Sequence, residues 1–492
     1  MNSLEQRIEQ VGAEKIFIVL FVLFGVMISF TRPPYRLMDE PVHLARAWQI
    51  SEGIFLSPVA KQDDVLKTIA GGNKKSFGWE NRSPDAATEK MYAASVPLSL
   101  IPDECLFGVD DDSRDVKYSF DELKTFLSTP LNADERESGL IPNTGAYPPP
   151  TYLPQAAAAF IGRSLNLSAG EIYYLMEFGG LIFAAAGVFG AMKFLPEAKT
   201  LIFLLAMMPM FLIEAASTSA DAVTFGVCFL GTAWLLSLRR SAEKFSRAEI
   251  FGLIILAIML ACSKFVYGTI LLLYFLIPRG RAGGLKKFLA LGAVILLLNL
   301  LTSLGWRELA AGMADVEPAT ACHYLGPDYP TFENVDLAAQ KNLVAEHPQA
   351  FFNAMTNSLI VGRTFYCFSF LGMWGANGKL LLPFWFCISY PLILIFFALS
   401  NGLRLTLAER AMMLFAAGIS MTACFLFDYL TWSPVGCEFV KGVQGRYFIP
   451  LAPMLFGALS LLPPMRHKNL IALAMGTLSG YVMLATNFLA FY

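Results

Sequence analysis

Long apolar runs separated by short charged clusters set the pattern of this chain. Runs of spanning or near-spanning length fall at about 15–30, 172–191, 199–216, 219–238, 249–262, 264–278, 287–304, 381–400, 410–430, 447–463 and 469–490. A helix needs about 20 apolar residues to cross a bilayer. Several of these runs are shorter, which predicts broken, tilted or tightly packed spans. The fold class read from this pattern is an all-α integral membrane protein.

Charge placement orients the runs. Basic clusters occur at Lys193 and Lys199, in "RRSAEKFSR" (239–247), in "PRGRAGGLKK" (278–287), at Arg404 and Arg410, and in "RHK" (466–468). The excess of Lys and Arg in cytoplasmic loops puts all of these inside, together with the N-terminus. That assignment holds only if the apolar stretch "TYLPQAAAAFIGRSLN" (151–166) lies along the outer surface instead of crossing. The expected organisation is therefore a first span (1–30) and a large extracytoplasmic loop with surface helices (31–171). Spans two to seven (172–304), a second large outer loop (305–380) and spans eight to eleven (381–492) follow. The first run, "KIFIVLFVLFGVMISF", lacks a strongly basic start and a small-x-small cleavage site, so it reads as a retained helix.

Composition sharpens this picture. Only 15% of the residues are charged, against about 25% in soluble proteins. The net charge of −2 gives no reason to expect nucleic acid as a partner. The eight cysteines include no C-x-x-C pair, which argues against a structural zinc site. Four of them, Cys105, Cys322, Cys367 and Cys437, fall in segments placed outside the cytoplasm, and the sequence does not choose among their possible pairings. The acidic run Asp110, Asp111, Asp112 and Asp115 lacks the glycine turn and closing Glu of an EF-hand, so it reads as a solvated loop. His43 and His323 have no paired ligand spacing, and no metal site is expected at either.

The candidate chemistry lies in charges set among apolar residues. Asp39 and Glu40 follow "RPPYRLM", whose prolines end the first helix. "EPVHLARAWQISEG" then predicts a short amphipathic helix at the outer membrane face with Pro41 in its first turn. Backbone N–H groups at that helix start favour an ionised carboxylate, which is suited to taking a proton from an incoming hydroxyl. The plainer reading is a helix cap. A second acidic pair, Glu214 and Asp221, brackets the short turn in "FLIEAASTSADAVTF". Carboxylates this close to hydrocarbon are costly and usually functional, although Asp221 could equally cap the fourth span. Isolated cations on the same side are Lys264, Arg363, Lys441 and Arg446, the last preceded by Gly445 and followed by Tyr447. Each needs an anionic partner, either a structural carboxylate or the phosphate of a lipid ligand.

"MDEPVHLARAWQISEG", "EAASTSADA", "SKFVY" and "GVQGRYFIPLAP" resemble the bacterial membrane proteins grouped as "domain of unknown function 2142", over nearly the whole chain. That family looks like part of the GT-C superfamily of glycosyltransferases. The resemblance implies a GT-C-like bundle of about 11 transmembrane helices in the bacterial cytoplasmic membrane. It also implies transfer of a sugar from a polyprenyl-phosphate donor to a glycan, lipid or protein acceptor outside the cytoplasm. On this reading Asp39 is the general base, and Glu40 supports it or holds a divalent cation. Asp221 orients the acceptor or the base. Lys264 and Arg446 grip the phosphate, with His43, Arg363, Lys441 and Tyr447 as further substrate contacts. No cofactor is expected for a monophosphate donor; Mg²⁺ or Mn²⁺ would suit a diphosphate. Some relatives carry a soluble C-terminal domain, whereas this sequence ends in "NFLAFY". A polysaccharide polymerase or ligase, and a lipid-linked glycan flippase or transporter, are the rival classes. The first would draw on arginines and histidines of a later loop; the second predicts inverted repeats and polar residues at mid-span depth.

Overall fold

The computed structural model describes residues 2–37, 39–61, 90–101, 117–141, 143–314, 335–375 and 380–492. Helix α1 (Asn2–Val11) bends into α2 (Ala13–Thr31) at Gly12, and α2 stops at Arg32, ahead of Pro33 and Pro34. Helix α3 (Glu40–Ser51) leads to a small antiparallel sheet, β1 (Val59–Lys61), β2 (Lys90–Pro97) and β3 (Arg136–Leu140), in that order. Register pairs Val59 with Tyr92 and Ser95 with Ser138. Between and after these strands come α4 (Phe120–Ser128) and α5 (Leu153–Ser164).

The remaining helices, which include most of the candidate membrane spans, follow in chain order. They are α6 (Ala169–Phe194), α7 (Lys199–Ala206), α8 (Pro209–Ala215), α9 (Asp221–Leu238), α10 (Arg247–Ser263) and α11 (Leu285–Ala314). After these come α12 (Leu337–Glu346), α13 (Pro348–Val361), α14 (Arg363–Leu371), α15 (Phe384–Leu399), α16 (Leu407–Thr431), α17 (Ala452–Gly457) and α18 (Lys468–Phe491). By length and composition six described helices can cross a membrane: α2, α6, α9, α11, α16 and α18. The other expected runs fold as shorter or interrupted elements. Residues 199–216 divide into α7 and α8 at Pro209; 264–278 becomes a 3-10 helix, Phe265–Leu276; 447–463 starts as the 3-10 helix Gly445–Leu451 and continues as α17. Proline accounts for the first and last of these breaks, because it removes a helical N–H and clashes with the preceding turn.

Helix starts follow local chemistry. Ser119, Ser168, Ser246 and Thr406 each accept from the backbone N–H three residues on, and the Glu there reaches back, giving capping boxes on α4, α6, α10 and α16. Helices α6 and α9 approach closely because glycine meets glycine: a Cβ on Gly187 would stand 2.5 Å from the Gly226 Cα.

Two buried apolar clusters organise the molecule. One runs through the bundle, from Phe17 and Phe203 to Tyr390 and Met483. The other fills the first-loop region around Trp48, Tyr152, Ile172 and Tyr173. Helix α3 lies inside the second cluster, which corrects the expected surface-lying amphipathic helix. Its polar residues serve buried carbonyls instead of water. Arg46 donates to Phe55 O (2.6 Å) and Tyr147 O (3.0 Å), and Gln49 donates to Ala93 O on β2 (2.7 Å). Helix α5, the stretch placed along the surface, has 12 residues, too few to cross a bilayer. The expected second loop also differs: α11 continues to Ala314, and α13 and α14 expose Phe352, Ile360, Val361 and Phe365.

Candidate functional site

Charged residues converge where helices are interrupted. Glu214 ends the short α8, Asp221 opens α9 after the turn 216–220, and Lys264 occupies the extended residue between α10 and the following 3-10 helix. Arg446 is the second residue of the 3-10 segment before α17. Asp39 precedes α3 in the left-handed region, at φ 63°, a conformation Asp tolerates better than most residues. Four of these five residues thus lie at or beside a helix interruption, and Asp39 at the start of α3.

Arg446 is the hub. Its Nη1 donates to Glu214 Oε1 at 2.5 Å and its Nη2 to Asp39 Oδ2 at 3.2 Å, so the first loop, the 214–221 turn and the segment before α17 meet in one guanidinium. Asn143 Nδ2 holds the other Asp39 oxygen at 3.1 Å. Beside this pair, Lys264 Nζ lies 3.5 Å from Asp221 Oδ1 and 4.3 Å from the centre of the Tyr447 ring. Accessibility separates the roles. Arg446 is 5% and Glu214 0% exposed at the side chain, whereas Asp39 keeps 32% and Lys264 24%. The accessible carboxylate Asp39 and the accessible cation Lys264 both act on the His43 imidazole and the Tyr147 phenol, and a buried ion pair fixes the carboxylate. Neither Asp39 nor Asp221 caps its helix through its side chain, so the plain capping readings do not hold.

His43, one turn into α3, joins this group. Its Nδ1 lies 2.7 Å from the Tyr152 hydroxyl. Burial pushes the imidazole down to about 4; Asp39 and Asp221 pull the other way, while Arg446 and Lys264 lower it further. The ring is therefore neutral at physiological pH. Burial likewise pushes the phenols of Tyr147 and Tyr152 up, keeping them as hydrogen-bond donors.

Other expected residues lie elsewhere. Glu40 is fully buried and bonded to Arg32, which also binds Glu177 and donates to Ala216 O at 3.2 Å. Consecutive residues at a helix start point apart, so Glu40 faces the protein interior while Asp39 faces the cluster. Glu40, expected as a catalytic or metal-holding group, thus lies apart from the cluster that holds Asp39. Arg363 is exposed and donates to Ile360 O at 2.5 Å, and Lys441 is half-buried with its backbone N–H on Ser433 Oγ; neither side chain touches the cluster. Cys367 and Cys437 are free thiols. Cys105, Cys322, His323 and the acidic run 110–115 lie outside the described residues. Glu214 stands in the sequence as half of an acidic pair with no role of its own, and Asn143 and Tyr147 carry no signal there. Among the described residues no three His, Cys, Asp or Glu side chains gather closely enough to hold a metal ion.

An open apolar groove of about 470 Å³ runs between Pro148–Pro150, Cys262 and the Leu301, Gly305 and Trp306 face of α11. It adjoins the cluster along the chain at two points, since Pro148 follows Tyr147 and Cys262 stands two residues before Lys264. Trp306 Nε1 donates to Ala146 O at 2.7 Å and ties α11 to that loop.

Comparison with known families finds a match over residues 21–455 to the family described as "Predicted membrane protein (DUF2142)". The same comparison finds no match among curated proteins or solved structures.

Proposed function

This chain belongs to the DUF2142 family of membrane proteins, and from that premise we propose that it is a glycosyltransferase of the GT-C type. It moves a sugar from a polyprenyl-phosphate donor to an acceptor, in our reading a surface glycan, outside a bacterial cytoplasmic membrane. The interrupted segments complete an eleven-span bundle with the N-terminus in the cytoplasm. The observation that supports the reading best is the accessible Asp39, fixed by Arg446 and Asn143, in one cluster of charges with the accessible cation Lys264, both acting on His43.

The donor's prenyl tail lies in the groove lined by Pro148, Leu301 and Trp306, which sets its phosphate near Lys264. The Lys264–Asp221 contact is the longest of the cluster's ion pairs, so this ammonium can turn to a ligand. The acceptor hydroxyl gives its proton to Asp39 as its oxygen forms a bond to the anomeric carbon. The bond from that carbon to the phosphate oxygen breaks, and the leaving phosphate carries its electron pair to Lys264. Attack opposite the leaving group inverts the anomeric centre. A positioned base contributes on the order of 10²–10⁴-fold, and a donor aimed at developing negative charge about 2.7–4 kcal/mol. Arg446 keeps Asp39 oriented and adds its charge behind the phosphate, and Asp221 orients the acceptor. The scheme uses no divalent ion, because Asp39 and Glu40 face different partners.

The test is Asp39→Asn in membranes supplied with labelled polyprenyl-phosphate sugars. Transfer should fall by about 10²-fold or more at an unchanged yield of folded protein. Undiminished transfer by the variant would remove Asp39 from the mechanism.

A further inference from the structure

Helix α16 carries a carboxylate that the mechanism above does not use. Asp428 lies one turn before the end of this apolar helix and is 7% exposed. No described residue hydrogen-bonds its carboxylate, yet neither oxygen is among the fully enclosed unpaired atoms, so the group reaches open space. An ionisable side chain inside a membrane span is expensive and rare, and it generally faces a partner or a cavity. The charge that acts on Asp428 is Lys264, and Asp428 in turn acts on Tyr447. Its flank is kept clear: Gly442, at φ 88°, has its backbone laid against the carboxylate, and a Cβ there would stand 3.2 Å from Asp428 Oδ2 and 3.3 Å from Trp432 Cβ. Only glycine suits both that conformation and that contact.

The reach of the donor gives this carboxylate a use. In a polyprenyl-phosphate sugar the anomeric carbon is bonded directly to a phosphate oxygen. A phosphate on Lys264 therefore puts the sugar ring among the groups that surround Lys264. Of the carboxylates there, Asp39 and Glu214 are taken by Arg446, and Asp221 is paired with Lys264 itself. Asp428 alone among these four keeps its full capacity to accept hydrogen bonds. Tyr447 is half-buried beneath Lys264, whose ammonium stands 4.3 Å from the ring centre, so the ring lies behind the position the phosphate would take. We propose that Asp428 is the sugar-binding group of the donor subsite: its carboxylate accepts from hydroxyls of a hexose ring. This rests on the transferase reading.

The full chain in lipid nanodiscs tests it, with binding measured for bare polyprenyl phosphate and for its glucosyl, mannosyl and galactosyl forms. Wild type should prefer one glycosylated form over the bare carrier by about tenfold or more, the scale of hydrogen bonds to a charged group. Asp428→Asn should bring that preference close to one while leaving affinity for the bare carrier unchanged, which also shows that the variant is folded. A preference retained in Asp428→Asn overturns this subsite and leaves the transferase reading standing. A wild type that binds no polyprenyl phosphate overturns both, and one that binds the bare carrier as well as every glycosylated form overturns the subsite.

Discussion

At the scale of single residues, the site is built from side chains whose partners assign them unequal tasks. Arg446 and Glu214 are buried together, so their pairing positions Asp39 at little gain in net stability; breaking a buried pair is costly because the survivor is left charged and alone. His43 shows how the same burial acts on a titrating group. The free imidazole titrates near 6.5, and in the folded chain it is held down to about 4. Below pH 6.5 the unfolded chain therefore takes up a proton that the folded chain refuses. Stability should be independent of this group above about pH 6.5 and should fall as pH drops from there towards 4. Thermal unfolding in detergent across that range checks it: His43→Gln should flatten part of the acid-side decline, and an equally steep decline in the variant would contradict the assignment.

At the scale of elements, the interruptions matter more than the spans. Gly445 illustrates this. Its N–H donates to Ser369 Oγ at 2.7 Å, and a Cβ would stand 2.1 Å from Tyr366 O and 2.4 Å from Phe370 N, all on α14. Backbone cannot swing aside as a side chain can, so Gly445→Ala should displace α14 or the segment carrying Arg446. The expected outcome is a large fall in folded yield and in Tm. Gly418→Ala, in α16 with no atom within 4 Å of the added carbon, should be neutral or slightly stabilising. Equal effects of the two substitutions would contradict the close packing. Much of this level was legible in the sequence. The apolar runs marked their elements, Pro41 the first turn of α3, and isolated charges such as Asp39, Lys264 and Arg446 stood out against hydrocarbon. The serine or threonine with a glutamate three residues on, now seen to cap α4, α6, α10 and α16, was equally present in the letters. The burial of α3 was not legible, because Arg46 and Gln49 look alike whether they face headgroups or loop carbonyls. Nor was the Arg32–Glu40–Glu177 network, whose members come together only through the fold: Arg32 and Glu177 are 145 residues apart. Asp428 was hidden as a single charge within an otherwise apolar run.

At the scale of the whole molecule, a contact spanning 407 residues joins Asp39 to Arg446. Such a contact forms only when the first-loop region docks on the bundle, so the cluster exists only in the assembled fold. Arg32 reinforces that docking, since its contacts bring the end of α2, the start of α3, α6 and the 216–220 turn together. The account then makes one spatial claim: the phosphate of a polyprenyl lipid sits on Lys264, facing Asp39, with its tail in the groove beside Pro148 and Trp306. The most direct measurement is an electron cryomicroscopy structure of the full chain in nanodiscs loaded with polyprenyl phosphate. The account predicts phosphate density about 3 Å from Lys264 Nζ and continuous tail density along the Trp306 face of α11. Lipid phosphate bound at another face of the bundle, with Lys264 still paired only to Asp221, would contradict it.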